Sequence, residues 1–113
     1  MLHVKTPSGN IYYNEELIKN IVALATMECN SVVGLANRNF KEDNSNLSSG
    51  IKINLTEDKS KLNIHVFVII KYGIKISIIA SDIIHLIKDS VERFLELSIN
   101  SIVVNIQGIR YEN

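Results

Sequence analysis

The reactive side chains of this sequence are few and scattered. His3, His65 and His85 could together hold a metal, Cys29 could act as a nucleophile, and Asp82, Asp89, Glu92 and Glu96 could supply an acid and a base. Metal sites of familiar type bring their ligands at short fixed spacings such as His-x-x-x-His. These histidines fall instead on an N-terminal leader, a predicted strand and a predicted helix. A reactive cysteine needs a neighbouring base and a lowered pKa, commonly at a helix N-terminus. Cys29 comes at the end of a predicted helix, where the dipole disfavours thiolate, so a small packed thiol is expected. The four acids share a helical stretch with Lys88 and Arg93, the pattern of a solvated face. Gly-rich phosphate loops, nucleophile elbows and Cys-x-x-Cys pairs are absent from the sequence. The chain is therefore read as non-enzymatic, with no catalytic, cofactor or metal residue assigned.

Bulk properties point the same way. A chain of 113 residues makes one domain. It can bury roughly two-thirds of its unfolded surface without a metal or disulfide staple. Twelve basic residues balance twelve acidic ones, so no broad field draws nucleic acid or anionic lipid to it. Low net charge also leaves little repulsion between copies, which favours self-association. A single cysteine excludes an internal disulfide framework and fits a reducing cytosol. The longest apolar run, Val66 to Ile70, is far too short to span a bilayer, so direct membrane insertion is not expected.

The elements that would position these groups follow from periodicity. Residues 1–10 are read as a flexible leader, with Pro7, Ser8 and Gly9 favouring a turn. Ile11-Tyr12-Tyr13 reads as a short strand. Asn14 sits as an N-cap before Glu15 and Glu16, and Leu17, Ile18, Ile21, Val22, Leu24 and Ala25 give a helix from about Glu15 to Glu28. Val32-Val33-Gly34-Leu35 is a connector or short strand. Residues 38–50 are polar and read as a mobile loop inside a single domain over 11–113. Ile51, Ile53 and Leu55 alternate with polar residues, and Leu62 to Lys71 is apolar on both faces, so a hairpin with a central second strand is expected. After Gly73 the period changes, and Ile76, Ile79, Ala80, Ile83, Ile87, Val91, Phe94 and Leu95 form a helical stripe. Ile99 to Ile109 is the last strand. The expected fold is α+β: an α-β-β-α-β two-layer sandwich with two helices on one face of a small three-stranded sheet.

Strand parity then divides the side chains. Ile51, Ile53, Leu55, Ile64, Val66, Val68, Ile70, Ile102, Val104 and Ile106 form a uniformly apolar face for the helices. Lys52, Asn54, His65, Phe67, Ile69, Val103, Asn105 and Gln107 form the other. Its apolar centre, Phe67, Ile69 and Val103, inside a polar rim, has the makeup of a binding patch. Residues 1–13 or the 38–50 loop folding over it is the alternative. Nucleic acid is a poor fit. A KH module needs a Gly-x-x-Gly loop, an RRM needs more than one aromatic on its central strands, and the basic footprint is missing.

The order of these pieces resembles the alkaline shock protein family, the Gls-type envelope stress response proteins. Ile11-x-x-Asn14-x-Glu16-Leu17-Ile18-x-x-Ile21-Val22-x-x-Ala25 is similar to that family's opening helix. Val32-Val33-Gly34-Leu35, Gly50-Ile51-Lys52-Ile53, Ile64-His65-Val66-Phe67-Val68, Tyr72-Gly73-x-x-Ile76 and Ile102-Val103-Val104-Asn105-Ile106-x-Gly108-Ile109 follow in its order, from about Ile11 to Ile109. The 38–50 loop and the Leu97-Ser98-Ile99 junction depart from the pattern. The resemblance implies a cytosolic protein of Gram-positive bacteria without enzymatic activity or catalytic residues. Some such proteins gather at the inner membrane face through a small membrane-anchor protein. The expectation is a scaffold that self-associates as a homo-oligomer or docks on such a partner. The alternative is a small nucleic-acid- or ribonucleoprotein-associated protein.

Overall fold

The computed structural model describes residues 1–36 and 47–111. The polar loop expected over 38–50 lies outside the described residues up to 46, and its end, Leu47–Gly50, forms a 3₁₀ turn. The fold is α+β, with two helices and two sheets.

Residues 1–13 depart from the expected loose leader. β1 (Leu2–Thr6) and β2 (Gly9–Tyr13) pair antiparallel from Leu2 with Tyr13 to Thr6 with Gly9, leaving Pro7-Ser8 as a two-residue turn. Proline presets the turn backbone, and the Thr6 hydroxyl donates to the Gly9 carbonyl at 3.0 Å. His3 stacks on its cross-strand partner Tyr12 at 4.7 Å between ring centroids. Val4 is buried in the main core, and the Lys5 N–H donates to the Lys59 carbonyl at 3.0 Å. That anchor ties the hairpin to one end of the main sheet.

Helix α1 (Glu15–Met27) begins as its sequence dictates: the Asn14 side chain accepts from the Glu16 N–H at 2.9 Å. This caps one of the amide donors that every helix start leaves over. Ile18, Val22 and Ala25 are buried at i, i+4, i+7 spacing, while Leu17 and Leu24 of the expected stripe are exposed. Helix α2 (Ile76–Ser90) buries Ile79, Ile83 and Ile87 and runs into a π turn, Val91–Leu95. Ile76 and Phe94, placed in the buried stripe by periodicity, are exposed. Each sits in a terminal turn, where a stripe in phase with the core has run past it. The helices are antiparallel: Cys29, just past α1, meets Asp82 of α2, and Tyr13, just before α1, meets Leu95 beyond α2.

The main sheet has four strands, not three. β5 (Lys61–Lys71) is central. Along one edge it carries two short antiparallel strands end to end: β4 (Ile51–Leu55) beside Leu62–Val66 and β3 (Val32–Leu35) beside Val68–Ile70. β6 (Ser98–Arg110) runs parallel along the whole other edge, which requires the crossover that α2 supplies. Leu62, Ile64, Val66, Val68 and Ile70 are at most 1% exposed, while the residues between them are half-buried. One face therefore lies under the helices. Each fully buried isoleucine or valine there contributes about 1.5–3 kcal/mol relative to an exposed one.

Candidate interaction surface

The other face of the sheet is graded along its length. At the β4–β5 turn end it is a polar ladder. Asn63 donates to Asn54 at 3.0 Å and accepts from Asn100 at 2.8 Å and from the Ser101 hydroxyl at 2.9 Å. The turn itself is built on Asp58, whose carboxylate accepts from the Thr56 hydroxyl at 2.6 Å, the Ser60 hydroxyl at 2.7 Å and the Ser60 N–H at 3.1 Å. These bonds, the Thr56 hydroxyl foremost, hold the Asp58 pKa down to about 2.

In the middle, Phe67 is half-buried with the Lys52 ammonium 5.3 Å from its ring centroid, a cation–π contact. Beside it Asn105 donates to the Val66 carbonyl at 3.2 Å. Val103, opposite His65, is 38% exposed. Ile69 stands between Gly34 of β3 and Gly108 of β6, so neither adjacent strand offers it a side chain at its own level. Phe67, Ile69 and Val103 thus share the face the sequence assigned to them. Gln107 does not keep its assigned place. A register shift between Ile106 and Gly108 puts Gly108 beside Ile69, and counting alternate residues cannot see such a bulge.

The reactive groups are kept apart. His3 is on the hairpin, bonded to Asn10, His65 is on the open sheet face, and His85 is on the exposed side of α2. No group of three or more His, Cys, Asp or Glu able to hold a metal exists among the described residues. Cys29 is buried with its thiol 3.6 Å from an Asp82 carboxylate oxygen. Burial first, and the Asp82 charge after it, push the thiol pKa up, against thiolate chemistry. Ser81, Asp82 and His85 line one shallow groove, yet no hydrogen bond joins His85 to either among the described residues. Asp89 instead pairs with Arg93 at 2.9 Å on the solvated face. What periodicity missed is an exposed apolar end: Tyr72 and Tyr111 stack at 4.4 Å, close to Ile74, Ile76 and Ile109.

Known proteins share this architecture. Solved structures of MamM-CTD H264A and of the copper form of MamM CTD D249H have the same fold, each at a TM-score of 0.52. They are 11% and 12% identical in sequence, and each alignment covers 88% of this chain and all of theirs. The uncharacterized protein YloU of Bacillus subtilis is 26% identical over 119 aligned residues, covering 99% of this chain and 98% of its own. Spy1614 of Streptococcus pyogenes is 25% identical over 95% of this chain and 93% of its own. Residues 3–111 match the model of the alkaline shock protein family, described by a cell envelope-related function, and the chain belongs to that family, the one its residues resembled.

Proposed function

We propose that this protein is a non-enzymatic binding module of the cell envelope machinery. It self-associates, or docks on a membrane-anchored partner at the cytoplasmic face, through the open face of its main sheet, with Phe67, Ile69 and Val103 as the contact residues. The observation that carries this reading is the face itself, an apolar centre bordered by Lys52, the asparagine ladder and Asn105. Such a centre-and-rim arrangement is how protein interfaces are built.

The adjoining edge supports the same reading. No strand pairs with the outer edge of β6 among the described residues. From Ser98 to Ile109 that strand holds no charged residue and no proline. Proteins normally guard an open edge with lysine, proline or a covering element, because unpaired amides and carbonyls recruit another chain. Here the edge is continuous with Val103 and available to extend whatever contact the face makes.

Sedimentation velocity on the wild type and on Phe67→Asp/Ile69→Lys tests the reading. Both side chains are half-buried on the open face, so the double variant should keep its helical circular dichroism. It should lose the assembly, or the co-purified partner, that the wild type shows. Assembly that survives the double change assigns the contact to another surface. Salt-sensitive RNA binding in a gel shift, lost with the same residues, would establish the nucleic-acid alternative instead.

A further inference from the structure

A second surface, built from two segments remote in sequence, stands at the far end of the main sheet. β5 and β6 finish together: Lys71 pairs with Arg110, and the Tyr72 N–H donates to the Arg110 carbonyl at 2.9 Å. This brings Tyr72 onto Tyr111 and sets Ile109 alongside. Gly73, at φ +108°, turns the chain, and only Gly73-Ile74-Lys75 separate Tyr72 from the start of α2 at Ile76. Tyr72, Ile74, Ile76, Ile109 and Tyr111 are all between 45% and 75% exposed. Five large apolar side chains left in water at one place mark a docking surface rather than ordinary scatter.

The charge around them selects the occupant. Segments 71–78 and 109–111 contain Lys71, Lys75 and Arg110 and no Asp or Glu, although the chain as a whole is neutral. A second copy would have to set these cations against their own copies, which disfavours a homotypic contact. Tyrosines, isoleucines and cations together match the boundary between lipid headgroups and acyl chains. There an aromatic ring keeps its hydroxyl wet and a lysine stem lies along the apolar zone. No helix of the described residues is long and apolar enough to cross a membrane, so such contact would be peripheral. The hairpin docks at the opposite end of β5, roughly 33 Å away at the usual rise per residue, and leaves this end clear.

We propose that the end formed by Tyr72, Ile74, Ile76, Ile109 and Tyr111, with Lys75 among them, docks this protein directly on an anionic lipid surface. The contact uses none of Phe67, Ile69 and Val103, so both surfaces can be engaged at once.

Vesicle flotation tests this on the full chain. Vesicles of phosphatidylcholine mixed with phosphatidylglycerol should carry the protein up the gradient, and vesicles of phosphatidylcholine alone should carry far less. Lys75→Glu should lower partitioning onto the anionic vesicles by more than about fivefold, the effect of losing one cation near such a surface. Ile74→Ser/Ile76→Ser, both at exposed positions, should reduce it by about tenfold with circular dichroism unchanged. Phe67→Asp/Ile69→Lys should float like the wild type, which separates this surface from the sheet face. Absence of flotation, equal flotation on neutral vesicles, or full flotation of the isoleucine variant overturns the proposal. So does a lipid-free oligomer that the isoleucine variant abolishes, since the surface would then belong to a protein contact.

Discussion

Tyr13→Phe removes one oxygen and tests whether the N-terminal hairpin belongs to the domain. The Tyr13 hydroxyl donates to the Leu95 carbonyl at 2.7 Å, linking the end of β2 to the end of the π turn across 82 residues of sequence. Leu95 closes a helical segment, and its carbonyl is one of those a helix end leaves without an internal partner. A neutral hydrogen bond of this kind contributes about 1 kcal/mol net. For a domain of this size that corresponds to a loss of about 4 °C in Tm. The ring stays, so packing is kept. The pH dependence gives a second signature. Burial, and then the negative charge of Glu96, raise the Tyr13 pKa above its ordinary 10.0. A group whose pKa is raised on folding contributes stability that is complete below its unfolded pKa and disappears as pH climbs through the folded one. The gap between wild type and variant should therefore be full at neutral pH and narrow above about pH 10. Thermal unfolding by circular dichroism, run across pH, reads both effects. A Tm within about 1 °C of the wild type at neutral pH would mean that the bond does not hold the hairpin to the domain. A gap that narrows on the acid side would contradict the assignment to the phenol.

Three further outcomes are expected. A Cβ added at Gly50 would lie 2.8 Å from the Leu35 Cβ and 3.0 Å from the Ala36 carbonyl oxygen, both held by β3. Gly50→Ala should therefore cost about 1–3 kcal/mol in urea unfolding, as overpacking does. Ile83→Ala, in a fully buried position under α2, should cost about 2–5 kcal/mol in the same assay. Asp58 binds its turn as a carboxylate, with a pKa held at about 2 against an ordinary 3.8. A pKa lowered on folding contributes stability present above the unfolded value and lost as pH falls through the folded one. Asp58→Asn should thus weaken the turn at neutral pH and flatten the stability loss of the wild type between about pH 4 and 2, followed through the Ser60 amide by NMR.

The features readable from the sequence are those whose signal is local. Asn14 announced the start of α1 because capping is decided within a few residues. β5 declared itself central because both of its faces are apolar, and the Phe67 face followed from parity alone. Parity failed where the backbone slipped: the bulge near Gln107 exchanged that residue for Gly108 beside Ile69. Val32–Leu35 is too short for a period to separate strand from connector, and only its pairing with Val68–Ile70 makes it β3. The hairpin was missed because β1 and β2 are five residues each and rich in polar side chains, so the Pro7-Ser8 turn showed while the pairing did not. The exposed apolar end was hidden for a different reason. Its parts come from segments remote in sequence, and Ile76 has the helical phase of a core residue, yet it precedes the turn where α2 reaches the sheet.

If the open face of the main sheet is the binding surface, a probe placed on it must meet the partner in the cell. Photo-crosslinking in the native host makes that measurement, with a photoreactive side chain at Val103 and, as a control, at Glu92 on the exposed side of the α2 extension. The expected result is a discrete adduct from Val103, to a second copy or to an envelope membrane protein, and none from Glu92. Equal adducts from both positions, or adducts from Val103 to RNA alone, would contradict it.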